Sequence, residues 1–254
     1  MATYSYDMSW SEERRRLGSI ELTWDRFTKR HIENLGVSKK WQCLEIGGGG
    51  GSIATWLCER AGSVVATDLD TRFLDEIDAA NLQIWRHDIV NDSLPEDAFD
   101  LVHSRLLLEH LAGRDEALKK MVAALKPGGV LLIEDYDWAT GTTSFPADDM
   151  YARVTEAVIG LMKSNGYVAD YGRQLPELLE AHGLDVESEG HVLVLTRESP
   201  SRDFFRLSLE QLRAPLVASG VLSDEDVTDA LARMDDQTFR VLSPIMMSAW
   251  GRKP

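Results

Sequence analysis

Cysteine is scarce in this chain, long apolar runs are missing, and cations are outnumbered. Cys43 and Cys58 stand fifteen residues apart in apolar surroundings, without C-x-x-C spacing. That excludes a disulfide framework and a thiolate metal knuckle, and it predicts buried thiols in a reduced, cytoplasmic protein. No apolar stretch approaches the ~20 residues of a membrane-crossing helix. The opening MATYSYDMSW lacks the basic-then-apolar order of a signal peptide, so neither a span nor a leader is expected. Lys and Arg number 27 against 42 Asp and Glu, a formal charge of −15 that repels polyanions and anionic membranes. The basic run Arg14-Arg15-Arg16 follows two glutamates and reads as a solvated helix face.

What remains is the balance of a soluble globular protein: 254 residues, 44% hydrophobic and 27% charged, enough for one enlarged domain. Leu17, Ile20, Trp24, Phe27 and Ile32 recur at helical spacing before Gly36, which predicts a helical arm over residues 1–36. Strand and helix patterns then alternate. WQCLEI, SVVATDL, NLQIWRHDI, FDLVHSRL and GGVLLIEDY read as strands; Ser52–Arg60, Thr71–Ala79 and Arg114–Leu125 read as helices. This order implies an α/β fold with a doubly wound parallel sheet. Beyond Trp138 the alternation weakens. Ala147–Ser164, Leu175–Ala181, Ser201–Ala218 and Asp224–Met234 read as helices, LDVESEGHVLVLT as a strand, and FRVLSPIMMSAWG as a strand with Pro244 at a bend or an edge. The extra helices, at about 143–170 and 198–236 within a main domain of residues 37–254, look like an inserted cap.

The glycine run Gly47-Gly48-Gly49-Gly50-Gly51 joins the first strand to the first helix, where an open parallel sheet holds a nucleotide against a helix N-terminus. Apolar flanks, CLEI and IATWL, argue against a flexible linker. The dinucleotide pattern G-x-G-x-x-G fails at Ser52, Ile53 and Ile46 in its three possible registers, which disfavours a nicotinamide oxidoreductase. The pattern that fits is an acid with alternate glycines, Glu45-x-Gly47-x-Gly49-x-Gly51. Asp68 ends the second strand 21 residues after Gly47, where a carboxylate offers two acceptors to a pair of ribose hydroxyls.

These features resemble the class I S-adenosylmethionine-dependent methyltransferases. Glu45–Gly51 is similar to their first motif, VVATDLD to their ribose-binding acid, Leu94–Val102 to the approach to their fourth strand, and Leu125-Lys126-Pro127-Gly128-Gly129 to the turn before their fifth. The likeness covers about residues 41–135. It implies a Rossmann-like sheet, mostly parallel with a final antiparallel strand, and S-adenosylmethionine as cofactor. Carried over by position, it implies that Gly47 and Gly49 face the amino-acid portion, Asp68 the ribose and Leu69 the adenine. Asp88 would accept from the adenine amino group with Ile89 beside it, although Asp88 also suits a mere turn, and the backbone of Ser104 would line the methionine portion. His103-Ser104-Arg105-Leu106 lacks the Asn/Asp-Pro-Pro-aromatic motif of enzymes that methylate nucleobase amines, so nucleic acid is not the expected substrate. Asp135 and Asp137 lack a clear third oxygen ligand, so no metal is expected.

The resemblance implies methylation of a small organic acceptor, in natural-product biosynthesis by the look of the added helices. A protein that keeps the pocket without methylating is the alternative. His110 is the expected base for a hydroxyl acceptor, with His103 second. Asp135 and Tyr136 stand beyond the fifth strand, at the sheet edge where ligands bind. Arg16, Trp24, Tyr136, Tyr171 and Arg173 are the candidate acceptor contacts; Phe27, Tyr151, Met162 and Tyr167 suit a lid, with core packing the favoured reading for any one aromatic. The oligomeric state is not written in these motifs.

Overall fold

The computed structural model describes residues 5–254; residues 1–4 of the expected arm lie outside the described residues. A long helix, α1 (Glu13–Leu35), is closed by Gly36 in the left-handed conformation. There follow β1 (Gln42–Ile46), α2 (Ser52–Cys58), β2 (Ser63–Asp68), β3 (Leu82–Arg86), β4 (Phe99–Arg105), α3 (Arg114–Ala124) and β5 (Leu125–Asp137). The second half holds β6 (Ser144–Phe145), α4 (Asp149–Ser164), α5 (Tyr171–Ala181), β7 (Asp185–His191), β8 (Val194–Leu195), α6 (Pro200–Ala218), α7 (Asp224–Asp235), β9 (Arg240–Leu242) and β10 (Ile245–Arg252).

The main sheet has the order β3-β2-β1-β4-β5-β10-β7. Only β10 runs against its neighbours, being antiparallel to both β5 and β7. The expected final antiparallel strand is therefore present. Each central strand sends alternate residues to opposite faces. Cys43, Leu101 and Leu132 pack with Ile32 of α1 and with α2, while Leu44, Val102, Leu131 and Ile133 pack with α3 and α5. Both cysteines are buried free thiols, and burial raises the pKa of each.

A separate apolar cluster joins α4, α6 and α7 through Tyr151, Met162, Leu212, Val227 and Phe239. A small sheet, β6-β9-β8, ties this cap to the main body. Three expectations change in detail. Thr71–Ala79 forms only one 3₁₀ turn at Leu74–Glu76, because Leu74 alone is buried there and Ile77 is already extended. The run LDVESEGHVLVLT divides between β7 and β8, in different sheets. The last run divides between β9 and β10, in different sheets, with the expected bend at Ser243-Pro244, where the Ser243 N–H donates to Leu193 O at 2.9 Å.

Candidate active site

The glycine loop lies at the carboxyl ends of β1 and β2. Its shape is set by alternate left-handed residues, Gly47, Gly49 and Gly51, with φ of 70°, 53° and 85°. The N–H groups of Gly47 and Gly48 both donate to Thr67 O at 2.9 Å, and that of Gly49 donates to Asp68 Oδ2 at 2.9 Å. The Asp68 carboxylate also accepts from the Asp70 N–H at 3.1 Å, and burial lifts its pKa against these two donors. Asp88, after β3, accepts from Val90 N–H at 2.9 Å and Asn91 Nδ2 at 2.6 Å. Burial acts to raise its pKa, but these bonds prevail and hold it low.

The loop forms one wall of a cavity of about 630 Å³. Leu69, Asp88 and Ile89 line one end; Arg16, Leu17 and Ile20 of α1 cover it; and Tyr6, Tyr136, Trp138, Tyr167, Phe204 and Phe205 supply an aromatic half beneath the cap. Arg16 is buried, forks onto Glu13 at 2.8 and 2.6 Å, and sits over the Tyr6 ring at 4.4 Å. His110 ends a short 3₁₀ turn, Leu108–His110, rather than starting a helix. Its ring lies 4.7 Å from that of Tyr167, and its Nε2 is 3.5 Å from Glu109 Oε1. Burial, with Arg16 and Arg114 nearby, depresses its pKa to about 3. His110 is therefore neutral at pH 7.

Glu109 is the residue that the motifs did not single out. It lines the cavity, is buried, and accepts from the Tyr136 N–H at 2.8 Å. Burial and the neighbouring Asp135 charge push its pKa well up, and burial does the same to Asp135. A lone acid inside the apolar run Leu106-Leu107-Leu108-Glu109-His110-Leu111 was the available signal.

The structure brings Glu45, Gly47, Gly49, Asp68, Leu69, Asp88, Ile89, Arg16, Tyr136 and His110 to the cavity wall. It does not bring five others there. Gly51 caps α2 and faces Ile77, whose Cδ1 would lie 2.7 Å from an added Cβ. Ser104 is fully buried within β4. Trp24 stands behind Tyr136 and donates to its hydroxyl at 2.8 Å. Tyr171 packs among the α3 and α5 core residues, and Arg173 is an exposed side chain that forks onto Asp137 at 2.6 and 2.5 Å.

His103, the second histidine considered, is also sealed off from the cavity. It is fully buried, with Nδ1 2.6 Å from Glu45 Oε2 and Nε2 3.3 Å from Glu134 Oε2. Burial alone would lower its pKa, but the two carboxylates raise it to about 9. Glu134 also accepts from Ser248 Oγ at 2.6 Å and from Thr28 Oγ1. Arg105 donates to Thr28 Oγ1 and Asp25 Oδ1 at 2.9 Å each, and Asp25 in turn accepts from Ser52 Oγ at 3.0 Å. A polar network thus runs under the glycine loop from α1 to β10.

The family model described as a methyltransferase domain matches residues 44–133. The ubiquinone/menaquinone biosynthesis C-methyltransferase UbiE of Pseudomonas putida (strain GB-1) is 31% identical over 176 residues, covering 65% of this chain and 67% of that protein. The chain belongs to the class I S-adenosylmethionine-dependent methyltransferases. In fold, the methyltransferase is similar to the YcgJ protein of Bacillus subtilis, with a TM-score of 0.58 and 15% identity over 90% of this chain and 98% of that one. It is also similar to Haemonchus contortus phosphoethanolamine N-methyltransferase 2 in complex with phosphomonomethylethanolamine and S-adenosylhomocysteine. That match has a TM-score of 0.58 and 20% identity over 91% of this chain and 53% of that one.

The methyltransferase uses S-adenosylmethionine as its cofactor, which displaces the nicotinamide reading of the glycine run. The residues present fit that group: a close-approach glycine backbone, the Asp68 carboxylate at the cavity wall, and apolar Leu69 and Ile89 at the end where Asp88 stands. Among the described residues no helix is long and apolar enough to cross a membrane.

Proposed function

We propose that this methyltransferase acts on a small organic acceptor, largely apolar or aromatic, of the kind met in natural-product biosynthesis. The observation that carries this reading is the cavity of about 630 Å³, whose aromatic half lies under the cap. That is the scale of a small-molecule site. A polymer would need an open groove, and the formal charge of −15 would repel a nucleic acid.

Bound S-adenosylmethionine supplies a methyl group activated on a sulfonium sulfur, for in-line displacement by the acceptor. In this reading Asp68 holds the ribose hydroxyls, Gly47 and Gly49 admit the amino-acid portion, and Asp88 and Ile89 border the adenine. Tyr136 and the cap aromatics orient the acceptor and keep water out, so positioning supplies much of the rate. The test is incubation with methyl-labelled cofactor and panels of phenolic, amine and activated-carbon acceptors beside protein and nucleic acid. Label in a small molecule is expected. Label confined to a polymer would end the proposal.

Asp68→Ala removes two charged acceptors, each worth about 1.5–3 kcal/mol in hydrogen bonds. Affinity for S-adenosylhomocysteine should fall on the order of a hundredfold or more, read by calorimetry. Asp68→Asn, which keeps one acceptor oxygen, should fall less. A folded Ala variant with unchanged affinity would remove Asp68 from the ribose site.

The covering elements are proposed to close on ligands. In this reading the first portion of the arm moves, because Arg16, Leu17 and Ile20 cover the cavity, while Thr28, His31 and Ile32 stay packed away from it. Hydrogen exchange with S-adenosylhomocysteine should show new protection at residues 5–17 and 149–164 and little change at residues 24–35. Equal protection with and without ligand would make these elements fixed walls.

A further inference from the structure

We propose that His31, Glu189 and His191 form a binding site for a divalent transition ion, Zn²⁺ being the best fit, which pins α1 to the edge strand of the sheet. None of the three lines the cavity, and His31 lies 158 positions before Glu189, so no local spacing announces the set. Glu189 and His191 are two residues apart on β7, so they share one face of the strand, and α1 lays His31 against them.

The ligand atoms already converge. His31 Nε2 is 3.8 Å from Glu189 Oε2, His191 Nε2 is 3.2 Å from Glu189 Oε1, and all three ligand atoms lie within 4.8 Å of one another. Tetrahedral bonds of about 2.0–2.1 Å place neighbouring ligand atoms roughly 3.4 Å apart, so the cluster must contract by up to about 1.4 Å at its widest. Glu189 is half-exposed and has the freedom to supply that movement. Two imidazoles and one carboxylate are a set that zinc accepts, with a further position left for water.

Two independent features point to a ligand. His31 is 4% exposed and its Nε2 has no hydrogen-bond partner, an arrangement that costs free energy unless something occupies that direction. A cationic group also rests at the same place: Arg30 Nη2 lies 2.7 Å from Glu189 Oε2 and 3.0 Å from His191 Nε2. A guanidinium only donates, so His191 Nε2 accepts from Arg30, and its lone pair is the one an ion in place of that guanidinium would take. Arg30 is half-exposed on a flexible stem and can swing aside for an ion. The rings are held in place by neighbours, His191 stacked on Phe27 at 4.1 Å and His31 tilted on Trp250 at 4.8 Å.

The test uses the full chain, stripped with chelator and titrated with Zn²⁺ by calorimetry and with Co²⁺ by visible absorption, and melted with and without Zn²⁺. One equivalent should bind, the cobalt complex should show bands of a nitrogen- and oxygen-ligated ion, and the melting temperature should rise. His191→Ala and Glu189→Ala, both at partly exposed positions, should lose saturable binding and the melting shift. Arg30→Ala should bind more tightly than wild type, because the competing cation is gone. Absence of saturable binding in wild type, or binding that survives both His191→Ala and Glu189→Ala, would overturn the site.

Discussion

Replacing His110 with Ala should lower turnover by roughly 10²–10⁴ while leaving cofactor affinity nearly intact, for an acceptor that loses a proton on methylation. The depressed pKa of about 3 keeps the imidazole neutral, the form that can accept a proton, but makes it a poor final store for one. Glu109 completes the pair. Its carboxylate stands 3.5 Å from His110 Nε2, and burial beside Asp135 raises its pKa well above the usual carboxylate range. We propose that, once Glu109 is ionised, His110 takes the acceptor proton on one ring nitrogen while handing its other to the Glu109 carboxylate, so the rate should rise as the raised carboxyl pair loses its proton and Glu109→Gln should lose a similar share of kcat. The pH profile separates this from simple packing. No limb should appear near 6.5, the ordinary histidine value; the rate should instead follow the raised carboxyl pair. A limb near 6.5 that vanishes in His110→Ala, or a folded His110→Ala enzyme with wild-type turnover and chemistry rate-limiting, would refute the pair.

His103→Leu should destabilise the fold by about 3–5 kcal/mol, the usual cost of removing one partner from a buried ion pair. It leaves Glu45 and Glu134 buried beside an apolar side chain. The pH dependence has a definite sign. The folded pKa of His103 is raised from 6.5 to about 9, so its contribution is full below 6.5 and is lost as pH rises through about 9. Although burial acts to raise it, the hydrogen bond and charge of His103 lower the Glu134 pKa from 4.5 to about 2, so that contribution is full above 4.5 and is lost as pH falls through about 2. The network thus stabilises most between about pH 4.5 and 6.5. Urea unfolding at pH 6.5 and 9 should show wild type weakening over that interval and His103→Leu weakening less. Equal slopes would mean that His103 is not charged in the folded state.

The strands were legible because a parallel sheet covered on both faces demands near-continuous apolar runs, and CLEI, SVVAT and VLLI supply them. Asp68 and the alternate glycines were legible because the turn they build is local, with all its parts within one strand-turn-helix-strand unit. Contacts between distant segments were not. Trp24 meets Tyr136 across 112 positions, and Arg105 meets Asp25 across 80. Nothing in the local pattern around Trp24 distinguishes a side chain that supports a cavity tyrosine from one that touches a ligand. Tyr171 and Arg173 failed for the opposite reason: both belong to α5, which turns to the other sheet face and to solvent. Thr71–Ala79 has the composition of a helix but only one apolar anchor, too little burial to extend a single turn.

The contacts of Asp25 and Thr28 bear on where this chain can be cut. Gly36 looks like a border between an appendage and a catalytic body, yet Arg105 of the body finds Asp25 and Thr28 on the appendage side, and Ser52 at the head of α2 bonds to that same Asp25. A fragment starting after Gly36 would carry a guanidinium and a Glu134 carboxylate stripped of those partners, in a place that water reaches poorly. The arm is thus part of the foundation as well as the roof. A chimera that imports another arm must bring an acid and a hydroxyl at these two helix positions, or redesign the floor beneath the glycines to match.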